Sequence, residues 1–505
     1  MWETGFMSVL KDVLVRQFAA HADRVAVGDA SGSLTYRELG AAAQRFAEAI
    51  DAWWKTDGLV GDAAHSDRVR VAVYAANSAR YIAAYTGLLH AGMVPFLIDP
   101  ALGAEEITAI VGECGIDAFV HDRELPGEFT QCDTTTIGSL QVTRVFAGSG
   151  RPRPALLGTT EVCRFTSGST GSPSCIEFSG TAVHNAAKAW QEATGLSEGE
   201  RVLCFAGIFN GLAFNTSLLP AFLAGAALWV PSGLPSSGHV IRFLKQVKPT
   251  RLTGFPALYE SLLRRDADIP ELANLRSALS SAAPLKAETA RALRERYSLS
   301  VCNYYGVAEA GPLTYDPEPS PDRGVGYPLP GVEFVFAGGA DGIGDESLVG
   351  EIRVRSSSMG SRYLNAPGVL EGRLDADGFY RTGDGGLLDS GRLMLRGRVG
   401  KAINLGGRKV DPVEVRAVLA ECGATESAVF SVDKRNGDPM LVAVVAGSDG
   451  LTGDELRARC LRRLAAYKVP ERFLVVDRLP KTSLGKPRLS AARQLFAEMQ
   501  GGPAV

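Results

Sequence analysis

The run "TSGSTGSPS" at 166–174 places Ser, Thr or Gly at every position except Pro173. Residues this small leave backbone N–H groups free to converge on an anion, and the hydroxyls add donors without bulk. The GxxxxGK[ST] pattern of a Walker-type loop is absent, which excludes that class of phosphate site. Taken alone, a Ser/Gly run also reads as a flexible turn. Four further segments widen the chemistry. "NYYGVAEAG" (303–311) offers Tyr305, whose ring can stack on a base, a tight turn at Gly306 and a carboxylate three residues on at Glu309. "YRTGDGG" (380–386) sets Asp384 in a Gly-bounded turn, a carboxylate suited to a ribose diol. "LRGRVGKAINLGGRKVDPVEV" (395–415) places arginines at a change of sequence character, and "LPKTSLGKPRL" (479–489) puts Lys486 on a glycine turn. Each residue has an ordinary alternative: Tyr305 as core, Asp384 as a turn residue, Lys486 as a solvated side chain. Their joint order and spacing carry the argument.

The elements that must position these groups follow from periodicity. "RVRVAVYAAN" (68–77) and "MVPFLIDP" (93–100) read as buried strands either side of a helix at 78–92 that Gly92 ends. "TYRELGAAAQRFAEAIDAWWK" (35–55) is helical after a strand-like start. Strand, helix and strand recur at 201–207, 212–226 and 227–231. This alternation predicts an α/β fold with βαβ units and a mainly parallel sheet covered by helices on both faces. Residues 318–350, rich in Pro, Gly and Asp, predict hairpins and a β-subdomain. Beyond Val399 the pattern becomes a compact α+β unit: helix 411–422, strands near 426–432 and 440–446, helix 452–466, strand 473–476. The expected division is therefore 1–399 and a small C-terminal domain, 400–505.

Bulk properties set limits. The 505 residues are 46% hydrophobic and 22% charged with a formal net charge of -3, so more than one core is expected and nothing points to nucleic acid or an anionic membrane. Eight scattered cysteines lack CxxC spacing, which argues against a disulfide framework or a zinc site. The N-terminus reads as an amphipathic helix, not a signal peptide, and the stretch 218–231 is too short to span a bilayer. A cytoplasmic protein is expected.

The five segments together resemble the adenylate-forming superfamily, whose members include acyl- and aryl-CoA synthetases, peptide-synthetase adenylation domains and luciferases; the likeness runs from "LTYRELG" to "LPKTSLGKPRL". The resemblance implies a large N-terminal domain, a small mobile C-terminal domain, and an active site at their junction. It implies formation of an acyl-adenylate from a carboxylate and Mg-ATP, followed in most members by transfer to a thiol. Thr166, Ser167, Gly168, Ser169, Thr170 and Gly171 would then cradle the β/γ-phosphates. Tyr305, with Gly306 beside it, would stack on adenine, and Glu309 would help hold Mg2+. Asp384 would accept the ribose hydroxyls, Arg398 would support ribose or phosphate, and Lys486 would neutralise charge in the adenylation transition state.

This chain departs from the pattern at four places. Ser174 replaces the lysine that commonly follows the phosphate loop, with Cys175 in place of glycine. Ala308 replaces the threonine before the glutamate, Gly400 stands at the hinge, and "SAAP" (281–284) stands where GGAP or GEAP is common. Amino-acid-activating relatives place an Asp where Leu212 stands, and "IFNGLAFN" (208–215) has no acid, so α-amino acids are disfavoured. Ile208, Phe209, Asn210, Gly211, Leu212, Phe255, Ala282 and Ala283 would line the acyl pocket, implying a bulky, largely hydrophobic acid with Asn210 serving one polar group. Coenzyme A is the expected acceptor, with a carrier-protein phosphopantetheine or arrest at acyl-AMP as alternatives. The protein is expected to be a monomer or homodimer. A weakly active nucleotide-binding sensor is the reading from another class, resting on Ser174, Ala308 and Gly400.

Overall fold

The computed structural model describes residues 8–55, 68–130, 132–145, 153–166, 173–233, 235–265, 267–281, 285–320, 323–337, 350–398, 403–405, 408–410, 412–434, 439–447, 451–464, 466–481 and 488–499. The chain divides into two units. The first is Met1–Phe334 with Val354–Tyr380 and Ser390–Leu393; the second is Val335–Arg353, Arg381–Asp389 and Met394–Val505.

Short β-branched runs bounded by turn residues build two large sheets in unit one. Among the described residues, seven strands form the first, in the order Val301–Asn303, Ser277–Ser280, Arg251–Gly254, Arg201–Cys204, Ala227–Trp229, Val25–Asp29, Gly32–Thr35. All neighbours are parallel except the closing hairpin of Val25–Asp29 with Gly32–Thr35. Parallel neighbours need crossover helices, and Ser237–Val247, Pro256–Leu263 and Ala287–Tyr297 supply them, burying Phe243, Leu258, Tyr259 and Leu293 against Leu203, Leu252 and Ala278. The second sheet has eight described strands: Arg362–Tyr363, Ser174–Ser179, Thr160–Thr166, Val94–Leu97, Arg70–Tyr74, Ala118–His121, Leu140–Arg144, Thr134–Ile137. Its centre is parallel and its flanks antiparallel.

The strand expected at 68–77 is Arg70–Tyr74, and the following helix is Ala79–His90, started by Ser78, whose Oγ accepts from the Tyr81 N–H. The long helix expected at 35–55 is Tyr36–Lys55. Residues 212–226 form a helix with one difference from the expectation: Phe214–Leu218 widens into a π turn between Gly211–Ala213 and Leu219–Ala224. Such turns break the i−4 ladder locally and often occur at functional sites.

In unit two, Ala424–Asp433 pairs antiparallel with Pro439–Gly447, which pairs parallel with Arg472–Val476. Alternation along these strands gives two apolar faces. One packs Val429, Leu441, Ala443 and Val445 on the helices Pro412–Glu421 and Gly453–Leu461. The other packs Phe430, Val442 and Val444 on Ala492 and Phe496 of the last helix, Leu489–Met499. The helix expected over 452–466 is Gly453–Leu461, started by Thr452 in a reciprocal box with Glu455. Within the segment expected to be hairpins, 318–350, strands run at Tyr327–Pro328 and Val332–Ala337; 321–322 and 338–349 lie outside the described residues.

Candidate active site

Strands Thr160–Thr166 and Ser174–Ser179 pair antiparallel, with Thr166 opposite Ser174. The Ser/Gly run is therefore the connection of a hairpin whose two ends are fixed by sheet pairing. Thr166 is half-buried at one end; Ser167, Gly168, Ser169, Thr170 and Gly171 lie outside the described residues. The returning end has a tertiary anchor that sequence reading missed. The Asn365 side chain accepts from the Cys175 N–H at 2.8 Å, donates to the Pro173 carbonyl at 3.0 Å and donates to Glu113 at 2.8 Å.

The segment after strand Val301–Asn303 carries Tyr305, Gly306 and Glu309. Thr314 holds its start: Oγ1 accepts from the Tyr305 N–H at 2.9 Å and donates to the Val325 carbonyl. Tyr305 itself is largely buried. Gly306 pairs with Pro312 so closely that a Cβ there would lie 2.6 Å from the Gly311 carbonyl oxygen, a distance no side chain tolerates. Glu309, half-buried, is fixed at both ends. Its carbonyl accepts from the Gly360 N–H at 2.6 Å, and its carboxylate accepts from the Tyr363 phenol. The Tyr380 phenol lies beside the Glu309 carboxylate and accepts from Arg373 at 3.1 Å. Burial, reinforced by the neighbouring Glu309 charge, pushes both phenols well above their ordinary range, so they remain protonated donors. The chain Arg373–Tyr380–Glu309–Tyr363 joins positions up to 71 residues apart in sequence, which is why no local pattern marks it. The sequence signal was limited to two tyrosines in otherwise turn-rich stretches.

The expected acyl-pocket residues follow the C-terminal ends of adjacent parallel strands, where ligands of open α/β sheets bind. Cys204 aligns with Thr253, Gly254 with Ser280, and Ser280 with Asn303. The loops that follow hold 208–212, Phe255 and the Tyr305 segment; Ala282 and Ala283 lie outside the described residues. Ile208 and Leu212 are buried, whereas Phe209, Asn210, Gly211 and Phe255 are partly exposed. The Asn210 Oδ1 accepts from the Leu212 N–H at 2.8 Å and so caps the helix that starts there, leaving its amide nitrogen as the group that can meet a ligand. The Phe209 ring folds over Gly207, where a Cβ would be 2.1 Å from it.

Unit two holds Asp384, Arg398 and Lys486. Asp384 follows Gly383, whose φ of +74° suits glycine, and its N–H donates to Thr382 Oγ1 at 3.0 Å. Thr382 in turn donates to the Ile352 carbonyl at 2.8 Å, so the turn is tied to the next strand. Arg398 ends the strand Arg392–Arg398, and only its backbone is described; Gly400 and Lys486 lie outside the described residues. Among the described residues no cluster of three or more His, Cys, Asp or Glu could hold a metal, and no helix is long and apolar enough to cross a membrane.

The described residues thus combine two parallel-centred sheets, the paired ends of a Ser/Gly-rich hairpin, a fixed tyrosine-to-glutamate segment and a small α+β unit. The chain belongs to the AMP-binding enzyme family: residues 14–364 match the AMP-binding enzyme and 414–486 the AMP-binding enzyme C-terminal domain. It is 30% identical over 349 residues to oxalate–CoA ligase of Arabidopsis thaliana, covering 66% of this chain and 67% of that one. It is 26% identical over 505 residues to a polypeptide of the plipastatin synthase of Bacillus subtilis, covering 94% of this chain but spanning only 19% of that protein. The structure of ATP-bound MatB from Rhodopseudomonas palustris has the same fold, with a TM-score of 0.77, 21% identity, and coverage of 98% and 100%.

Proposed function

We propose that this protein uses ATP to convert a bulky, largely hydrophobic carboxylic acid into an acyl-adenylate, releasing pyrophosphate, and then passes the acyl group to coenzyme A. The observation that carries the reading is the Glu309 carboxylate, held by the Tyr363 phenol with Tyr380 beside it, in the segment that begins with Tyr305. A carboxylate so oriented suits Mg2+, which is commonly bound through one or two carboxylates plus substrate phosphates and water. Bound there, Mg2+ would supply charge neutralisation at the phosphates.

The chain's own groups do the remainder. In-line attack of a carboxylate on the α-phosphorus needs positioning and neutralised charge, not a protein nucleophile. Thr166–Gly171 cradles the phosphates through N–H and hydroxyl donors, Tyr305 stacks on adenine, Asp384 receives the ribose diol, and Arg398 supports ribose or phosphate. Lys486, on the domain that begins at the Gly400 hinge, neutralises the developing charge. Ser174 leaves the phosphate hairpin without its usual lysine, so the N–H and hydroxyl donors bear more of that task. Coenzyme A is the favoured acceptor because a relative with 30% identity is named as a CoA ligase. A carrier-protein phosphopantetheine is the second acceptor to test.

Pyrophosphate release across a panel of hydrophobic acids tests this reading, and turnover with at least one is expected. Protein that binds ATP yet turns over with none would overturn it in favour of a nucleotide sensor.

A further inference from the structure

Arg164 lies on the strand that leads into the phosphate hairpin and is 6% exposed. Elsewhere in the described chain, buried arginines have oxygen partners: Arg251 pairs with Glu200 at 2.8 Å, Arg144 donates to the Trp53 carbonyl at 3.1 Å, and Arg70 donates to the carbonyls of Cys114 and Pro154. Among the described residues Arg164 has no carboxylate partner. Its Nε has no hydrogen-bond partner there either, and its guanidinium sits over the rings of Phe178, 4.2 Å from the centroid, and Phe214, 5.1 Å. The polar groups that influence it are the phenols of Tyr85 and Tyr304; burial lowers its pKa to about 10, which leaves it charged at neutral pH.

Two further buried polar atoms nearby lack partners among the described residues. Asn215, 2% exposed and on the π turn with Phe214, has an unbonded Oδ1; the Tyr85 hydroxyl, on a ring edge-on to Phe214, is unbonded too. Glycines let the backbone pass close beside them. A carbon one bond beyond Gly211 Cα would lie 3.1 Å from Arg164 Nη1 and 3.7 Å from the Asn215 amide nitrogen, and one beyond Gly311 would lie 3.2 Å from the same amide. Gly211 belongs to the proposed acyl loop, and Arg164 shares a strand face with Thr166, about 7 Å deeper than the base of the phosphate hairpin.

We propose that Arg164, with the Asn215 amide nitrogen and the Tyr85 hydroxyl as further donors, receives a second carboxylate at the far end of the acid that is activated, so that the substrate is a dicarboxylic acid with an apolar middle. This rests on the adenylation reading above. A guanidinium is suited to take a carboxylate through two parallel hydrogen bonds while its face stacks on aromatic rings. The aromatic stack and the neighbouring Gly211 favour the acyl side over the phosphates, where an arginine near Ser174 would instead replace the missing lysine's charge.

The test compares matched acids, terephthalate against para-toluate and adipate against hexanoate, in wild type, Arg164→Lys and Arg164→Met. Wild type is expected to favour the diacid of at least one pair in kcat/KM for pyrophosphate release. Arg164→Met should raise KM for that diacid by roughly tenfold to a hundredfold, the equivalent of one charge-assisted hydrogen bond. KM for ATP should be unchanged, turnover of the monoacid retained or improved, and Arg164→Lys intermediate. Without ATP, the diacid should raise the melting temperature of wild type but not of Arg164→Met, whose own melting temperature should equal or exceed that of wild type because an unpaired buried charge is gone. A uniform loss with every acid together with a raised KM for ATP would assign Arg164 to the phosphates and overturn the proposal. So would wild-type preference for the monoacid in both pairs. If no acid of either kind releases pyrophosphate, the adenylation reading fails, and the ATP-free thermal shift alone decides the role of Arg164.

Discussion

At the scale of single residues the site turns on how Glu309 is held. A carboxylate on a mobile side chain samples many positions, whereas this one accepts from Tyr363, with the Tyr380 phenol beside it and oriented by Arg373. Hydrogen bonds to a charged group contribute about 1.5–3 kcal/mol each. Tyr363→Phe is therefore expected to lower kcat/KM for pyrophosphate release by roughly tenfold to a hundredfold while the fold melts near the wild-type temperature. Glu309→Gln, which keeps shape and loses charge, should lower it more than either single phenol variant. Steady-state kinetics with ATP varied at fixed acid would check both. A Glu309→Gln enzyme with wild-type rates would remove Glu309 from the chemistry.

Elements position these residues, and their chief device is the anchoring of loops to distant strands. Asn365 ties Cys175 and Pro173 across 190 and 192 positions, so the returning end of the Ser/Gly hairpin is held by a residue far outside it. Asn365→Ala leaves the Cys175 N–H without its acceptor, which is expected to destabilise the fold by about 1–3 kcal/mol and to raise KM for ATP. Urea denaturation and ATP titration would measure the two effects. Gly306→Ala drives a Cβ to 2.6 Å from the Gly311 oxygen, so it should displace the Tyr305–Glu309 segment and abolish pyrophosphate release. Much of this architecture was legible in the sequence. Arg70–Tyr74, Ala79–His90 and the strands at 201–204 and 227–229 are buried runs between turn residues, and periodicity reports burial. The anchors were not legible, because Asn365, Tyr363 and Arg164 act through tertiary neighbours that no local period records. Arg164 left one trace: an arginine inside the otherwise apolar run 162–165.

For the whole molecule, buried histidines set how stability responds to acid. Burial lowers the pKa values of His90, His121 and His184 below the usual 6.5. His121 is also held on both ring nitrogens, by the Arg123 carbonyl at 2.7 Å and Thr143 at 2.8 Å. These rings stay neutral in the fold while the unfolded chain takes up protons below pH 6.5. Their contribution is thus complete above that pH and is lost as pH falls through the lowered values. Melting temperatures are expected to fall between pH ~6.5 and ~5, ahead of the carboxylate range; a flat profile there would contradict the assignment. Unit two has cores of its own and carries Asp384 and Lys486. Lys486→Ala should therefore cripple adenylation far more than thioester formation from supplied acyl-AMP.

The central claim is adenylation itself, and mass spectrometry of quenched mixtures of enzyme, Mg-ATP and a library of hydrophobic mono- and dicarboxylic acids tests it most directly. Acyl-AMP and pyrophosphate are expected with at least one acid, with acyl-AMP giving way to a thioester when coenzyme A is added. Tight ATP binding with no acyl-AMP from any acid would contradict it.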